Sequence, residues 1–214
     1  MINEELLTEL KNISKGYWFN LPYGSYHHPK FTLEGSTFEQ NPVCQRDTKQ
    51  RFEQIGLTTK ELKNKIVEDI GCNCGAMLLY AKQLGAKIVI GLDNHKPNVD
   101  FCNKLFNKLY PQESNESHFF SVLDINTVDG KKAKTSAEIL FCLSISKWVN
   151  YDHLIKVLSE SGAETIWFED NKNIGKIIPD IIPGYDCEFK FFSGPEANTP
   201  TGWARVNYLC RKKI

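Results

Sequence analysis

The sequence predicts an α/β domain, a mostly parallel sheet with helices on both faces. Three observations lead there. From residue 65 onward, short apolar runs alternate with segments of helical period. A glycine-containing loop, DIGCNCG (69–75), follows the first of those runs. Acidic residues, among them Asp69, Asp93, Asp124 and Glu169, stand at the ends of successive runs. Strands that alternate with helices build a parallel sheet. In such sheets the ligand sits beyond the carboxyl ends of the strands, where the strand order reverses.

The chain of 214 residues opens with a predicted helix over 3–15, carrying Leu6, Leu7, Leu10 and Ile13 at helical spacing. Residues 17–44 show no clean period and are rich in aromatics, glycine and proline. A long irregular stretch inside a compact domain is usually a lid or a binding loop, and the aromatic content argues against disorder. A helix with Arg46, Lys49 and Arg51 is expected over 45–55. Strands are then expected at 65–70, 87–92, 118–123, 138–143 and 164–169, with helices at 76–84, 97–109 and 151–159. Two final strands, 187–192 and 205–210, are joined by the polar loop GPEANTPTG. The expected organisation is one structural domain. Residues 1–56 give its first helix, aromatic lid and arginine-bearing helix, and 57–214 its core.

Gly71 and Gly75 let the backbone turn tightly and approach a ligand with no Cβ in the way. The helix that follows aims its positive N-terminus at that ligand. Eighteen residues after Gly75, Asp93 ends the second strand, where a carboxylate accepts from both hydroxyls of a ribose. Asp124, ending the third strand, is placed to meet an adenine amino group or its neighbourhood. A dinucleotide fingerprint requires G-x-G-x-x-G. Here the frame is Gly71-x-Asn73-x-x-Ala76, without the middle glycine that admits a pyrophosphate. No G-K-[ST] follows the first strand, so a phosphate-binding loop of the Walker type is absent. The plain structural alternative is a tight turn with no ligand, and three aspartates at strand ends weigh against it.

The spacing D-x-G-x-N-x-G resembles motif I of the class I S-adenosylmethionine methyltransferases, whose loop contacts the methionine part of the cofactor. CLSISKW (142–148), with Tyr23-Gly24-Ser25-Tyr26 before the loop, is similar to a subgroup that includes the methylphosphate-capping enzymes of small RNAs. The ending of that subgroup resembles Asn198-Thr199, Gly202, Arg205-Val206 and Tyr208-Leu209. Bacterial methyltransferases acting on glycans and other small metabolites share the C-L-S-x-x-x-W pattern. The resemblance implies a single Rossmann-like class I methyltransferase domain. Its sheet is expected to have seven mostly parallel strands with a C-terminal antiparallel hairpin, behind an N-terminal helical lid segment. It also implies S-adenosyl-L-methionine as cofactor, held by Asp69, Gly71, Asn73, Gly75, Asp93, Asn94, Asp124, Ile125 and Leu143. The chain departs from the RNA-capping pattern in lacking a long basic insertion.

Methyl transfer is an in-line displacement from a sulfonium, so the protein must position the nucleophile and, for a sugar hydroxyl, remove its proton. His27 and His28, in the covering segment, are candidate bases at neutral pH, with an exposed loop histidine as the alternative. Glu169 and Asp170 at the end of the fifth strand are the other candidates. Ser144, Lys147 and Trp148 follow the fourth strand and face the acceptor, Lys147 for an anion and Trp148 as a wall or else a core anchor. Arg46 or Arg51 suits the cofactor carboxylate, because arginine offers a bidentate fork; a surface role is the alternative. Tyr26 and Tyr23 are placed to close over cofactor and substrate, and Arg205 to reach a substrate phosphate.

Lys+Arg and Asp+Glu are equal at 26 each. A protein that grips nucleic acid by its phosphates usually has a basic excess, so balance favours a small-molecule acceptor: a sugar, a sugar nucleotide or a glycan precursor. RNA methylation is the second reading, and a non-catalytic cofactor-binding module the third. No run approaches the ~18 apolar residues of a membrane span, and MINEELLTELKNISK does not read as a signal peptide. The seven cysteines, with Cys72, Cys74, Cys102 and Cys142 in apolar or motif segments, suit reduced thiols in a cytoplasm. Cys72 and Cys74 lack the further ligands of a zinc site, so no metal is expected.

Overall fold

The computed structural model describes residues 6, 8, 9, 29–33, 36–38, 46–111, 117–128, 135–173, 175–193 and 204–214, with the backbone alone between 29 and 47. Within these residues a seven-stranded sheet carries the fold. Its strands are β4 (Ile66–Ile70), β5 (Ile88–Asp93), β6 (His118–Val122), β7 (Ile139–Leu143), β8 (Thr165–Asp170), β9 (Tyr185–Ser193) and β10 (Arg205–Lys212). They lie in the order β6-β5-β4-β7-β8-β10-β9. β4, β5, β6, β7 and β8 pair in parallel, while β10 is antiparallel to both β8 and β9. The strand order reverses between β4 and β7, which is where the ligand rule points.

Three helices connect the parallel strands: α3 (Ala76–Gln83), α4 (Lys96–Leu109) and α5 (Tyr151–Glu160). Each has a local reason to start where it does. Gly75 precedes α3 in the left-handed region, φ 76°. Pro97 sits in the first turn of α4, where its missing N–H costs nothing. Asn150 caps α5 by accepting from the His153 amide. On α4, Val99, Cys102, Leu105 and Phe106 recur at helical spacing and are buried.

The expected strands and connecting helices agree with these to within one residue, apart from the end of β10 and the start of β9, which extend two residues further. The first fifty residues differ more. Leu6, Thr8 and Glu9 are helical, and Glu9 accepts from Lys104 on α4 at 2.7 Å. The stretch expected to be irregular contains two strands, β1 (Pro29–Leu33) and β2 (Ser36–Phe38), paired antiparallel. Arg46 is not helical. It lies with Asp47 in a short strand, β3 (Arg46–Asp47), parallel to β1, and the helix α1 begins at Thr48 (Thr48–Ile55). Backbone pairing to β1 holds those two residues extended, overriding a helical pattern that continues through them. A capped turn, α2 (Thr59–Leu62), follows; Thr58 and Glu61 form its capping box.

α1 covers one face of the sheet. Its buried residues Thr48, Arg51, Phe52 and Ile55 share one side at helical spacing. The Phe52 ring meets Phe141 of β7 at 5.7 Å and Trp167 of β8 at 5.3 Å, both edge-on. A second apolar layer, with Cys142, Phe168, Val206 and Tyr208, fills the opposite face under α5. Cys72, Cys74, Cys102 and Cys142 are free and buried. Cys187 and Cys210 are joined as a disulfide, contrary to the reading of the cysteines as reduced thiols, because they stand directly opposite each other across β9 and β10.

Candidate functional site

The carboxyl ends of β4, β5, β7 and β8 meet at the reversal of strand order, and the loop 69–75 occupies it. The loop is self-contained. The Gly71 and Cys72 amides donate to the Leu92 carbonyl, and the Gly75 amide to the Cys72 carbonyl. The Asn73 amide donates to Asp93 Oδ2 at 2.8 Å, and the Cys74 amide to Asn73 Oδ1 at 2.7 Å. All five amides of 71–75 are thereby occupied within the protein. Gly71 has φ +80°, and a Cβ there would stand 2.5 Å from Ile145 Cγ2. The loop after β7 therefore presses directly on the loop after β4, and only glycine fits between them.

Asp93 serves this loop as well as any ligand. Besides Asn73, it accepts at Oδ1 from the His95 amide at 2.8 Å and from Asn98 Nδ2 at 3.3 Å. A carboxylate offers about four lone-pair sites, so roughly one remains for a ribose hydroxyl. Asp124 is exposed and holds the turn after β6 by accepting from the Asn126 amide and side chain. Ile125 is buried next to it, and its carbonyl meets His153 Nε2 at 3.0 Å. Asn94 is exposed after Asp93, and Leu143 is buried at the end of β7.

Asp69 is strongly perturbed at this edge. It is 2% exposed, and its Oδ1 has no hydrogen-bond partner. Burial raises its pKa from the ordinary carboxylate range to about 8; Arg51 opposes the shift, and Asp93 and Glu68 add to it. The sequence marks Asp69 as part of a motif, but its isolation inside the protein emerges only with the fold.

Beside Asp69, five residues from distant parts of the chain converge. Glu169, fully buried, accepts from Arg51 Nη2 at 2.6 Å and from Ser144 Oγ at 2.7 Å on Oε2, and from Ser193 Oγ on Oε1. Arg205 Nη1 donates to Ser144 Oγ at 2.9 Å and lies 3.7 Å from Glu169 Oε1. Arg51 also reaches Met77 Sδ in the first turn of α3, and its guanidinium lies 5.2 Å from the centre of the Trp167 ring. Arg51, Ser144, Glu169 and Arg205, assigned separately to cofactor, acceptor and base, thus form one network. Ser144 adopts φ +65°, unusual for a residue with a Cβ.

Asp170 turns the other way. It accepts from Ser146 Oγ, Tyr151 Oη and Asn173 Nδ2. Lys147 and Trp148 are exposed at the rim, with Trp148 at 57% and the Lys147 ammonium 5.7 Å from its ring centre. Tyr23, Tyr26, His27 and His28 lie outside the described residues, as does the Arg46 side chain. Sequence reasoning overlooked Ser193 and Asn207, which extend this network: Asn207 Nδ2 donates to Ser193 Oγ at 3.0 Å. Both stand on the two final strands, with no local signal.

No family model matches the chain, and no curated protein is similar to it. Solved structures are. Magnesium protoporphyrin IX methyltransferase from Synechocystis PCC 6803, with bound SAH, is 15% identical over 77% of this chain and 82% of that one, at a TM-score of 0.56. The bifunctional kinase-methyltransferase WbdD is 17% identical over 78% of this chain and 40% of its own, at 0.57. A candidate RNA methyltransferase from Pyrococcus horikoshii is 15% identical over 97% of this chain and 100% of that one, at 0.56. Identities this low carry the fold alone, and the fold of this chain is that of the class I methyltransferases.

Proposed function

We propose that the protein is an S-adenosylmethionine-dependent methyltransferase that O-methylates a small molecule such as a sugar, a sugar nucleotide or a glycan precursor. The observation that carries the cofactor is the contrast inside the glycine loop. Its five amides are all occupied, so it offers no cradle for a pyrophosphate, while Asp69 beneath it presents an unpartnered, buried carboxylate oxygen. Such a site asks for a cation with N–H donors, which the α-ammonium of the cofactor's amino-acid end is. Asp93 has lone-pair capacity left for a ribose hydroxyl, and Asp124, Ile125 and Asn94 border the adenine side.

When bound, the cofactor supplies a methyl group on a sulfonium, already a good leaving group. The protein's residues then orient the acceptor. Arg205, Ser144 and Glu169 form a fixed polar wall at the end of β7 and β8, and Lys147 and Trp148 stand at its rim. Glu169 has Arg51, Ser144 and Ser193 on its oxygens, an arrangement that suits an anchor for the wall more than a base. The hydroxyl proton then falls to His27 or His28, in the aromatic segment 17–44 that we take as the lid over the site.

Calorimetric titration with S-adenosylhomocysteine, with NAD as control, tests the cofactor. Micromolar binding of the first alone supports it; binding of NAD alone overturns it. Transfer of a labelled methyl group to a panel of sugars and sugar nucleotides then tests the acceptor. Turnover on short RNAs alone, with an affinity that falls steeply with salt, would replace the small-molecule reading by the RNA one.

A further inference from the structure

Asp69 Oδ1, discussed above, and Thr48 Oγ1 are buried side-chain atoms without a hydrogen-bond partner among the described residues. Thr48 is 1% exposed, so bulk water does not answer its hydroxyl. A buried hydroxyl left unsatisfied is costly, and such a donor marks a position that a ligand completes.

The placement of α1 shows where that donor stands. Phe52 lies over the middle of the sheet, against Phe141 and Trp167. Arg51 reaches the end of β8 at Glu169 and the first turn of α3 at Met77, and its charge acts on Asp69. Side chains lean toward the helix N-terminus, and each residue advances ~1.5 Å along the axis. Phe52 meets Tyr80 of α3, and Arg51 meets Met77 one turn nearer the glycine loop, so Thr48, roughly 4–5 Å past Arg51, continues in the direction of that loop. Asp47 precedes the helix in sequence, so the hydroxyl, not the helix end, marks the position.

Resting on the cofactor reading above, we infer that Thr48 is a cofactor-binding residue whose hydroxyl donates to the α-carboxylate of the amino-acid end. Asp69 takes the α-ammonium of the same group. One orphaned acceptor and one orphaned donor suit the ammonium and the carboxylate of a zwitterion. Arg51, one of the two arginines the sequence offered for that carboxylate, is engaged with Glu169.

The test compares S-adenosylmethionine with its decarboxylated form, which keeps the sulfonium, the adenosine and the amine but lacks the carboxylate. In calorimetry, Thr48→Val weakens S-adenosylmethionine roughly ten- to a hundred-fold and leaves the decarboxylated ligand unchanged. Thr48→Ser restores the affinity, and Asp69→Asn weakens both ligands. Thr48→Val should melt no lower than the parent, since it removes an unsatisfied hydroxyl and keeps the shape. Equal weakening of both ligands by Thr48→Val, or of neither, overturns the role of Thr48 while leaving the cofactor in place. A parent protein that binds neither ligand overturns the cofactor reading and this inference with it.

Discussion

Replacing Asp69 by asparagine should make the protein more stable in alkali and less able to hold its cofactor. The folded protein favours the protonated carboxyl, with a pKa near 8 against a reference of 3.8. Between those values the folded state binds a proton that the unfolded state has lost, so stability falls as pH rises. The slope is about 1.4 kcal/mol per pH unit, and over the whole window the loss is about 6 kcal/mol. Below pH 4 both states are protonated and the term vanishes; above pH 8 the penalty is complete. Asparagine keeps the shape and cannot ionise. Urea denaturation of parent and variant from pH 4 to 9 should therefore give curves that diverge steadily, with the variant gaining toward high pH. Binding adds a second signature. An ammonium at Oδ1 would return Asp69 to its charged form, so the parent should release close to one proton per ligand near pH 7. Calorimetry in buffers of different ionisation enthalpy reads that number. Parallel stability curves, or binding without proton release, would refute the picture of a neutral Asp69 awaiting a cation.

Gly71→Val should abolish cofactor binding and lower the melting temperature, because the side chain meets Ile145 and the residue must hold φ +80°; a variant that still binds S-adenosylhomocysteine would contradict this. Asp93→Ala strips acceptors from the Asn73 and His95 amides, and at about 1–3 kcal/mol per orphaned group it should cost fold stability as well as affinity, both visible by calorimetry. Arg51→Met leaves Glu169 buried with its nearest cation gone, a loss of about 3–5 kcal/mol. Adding Glu169→Leu to that variant should recover much of the loss in urea denaturation, and no recovery would show that the pair is not the source.

The sheet was readable because its strands and helices differ in period and the acidic strand ends stand out against apolar runs. Asp69, Gly71 and Asp93 were readable for the same reason. The convergence on Glu169 was not, because its partners Arg51, Ser144, Ser193 and Arg205 are brought together by strand order alone, which local pattern does not encode. Arg46 was misplaced because a helical pattern extends through a residue that pairing with β1 holds extended. The cross-strand disulfide depended on register: a shift of one residue in β9 would have set Cys187 on the other face from Cys210.

The place of β10 also bears on how the chain comes into being. It is made after β9, yet it lies between β8 and β9. During synthesis, β8 therefore presents an open edge until β10 arrives, and open edges invite pairing with the wrong chain. The same strand brings Arg205 to Ser144 and Glu169. A nascent chain halted before β10 should be both sticky and unable to assemble the network around Glu169, which closes only once that strand has been inserted.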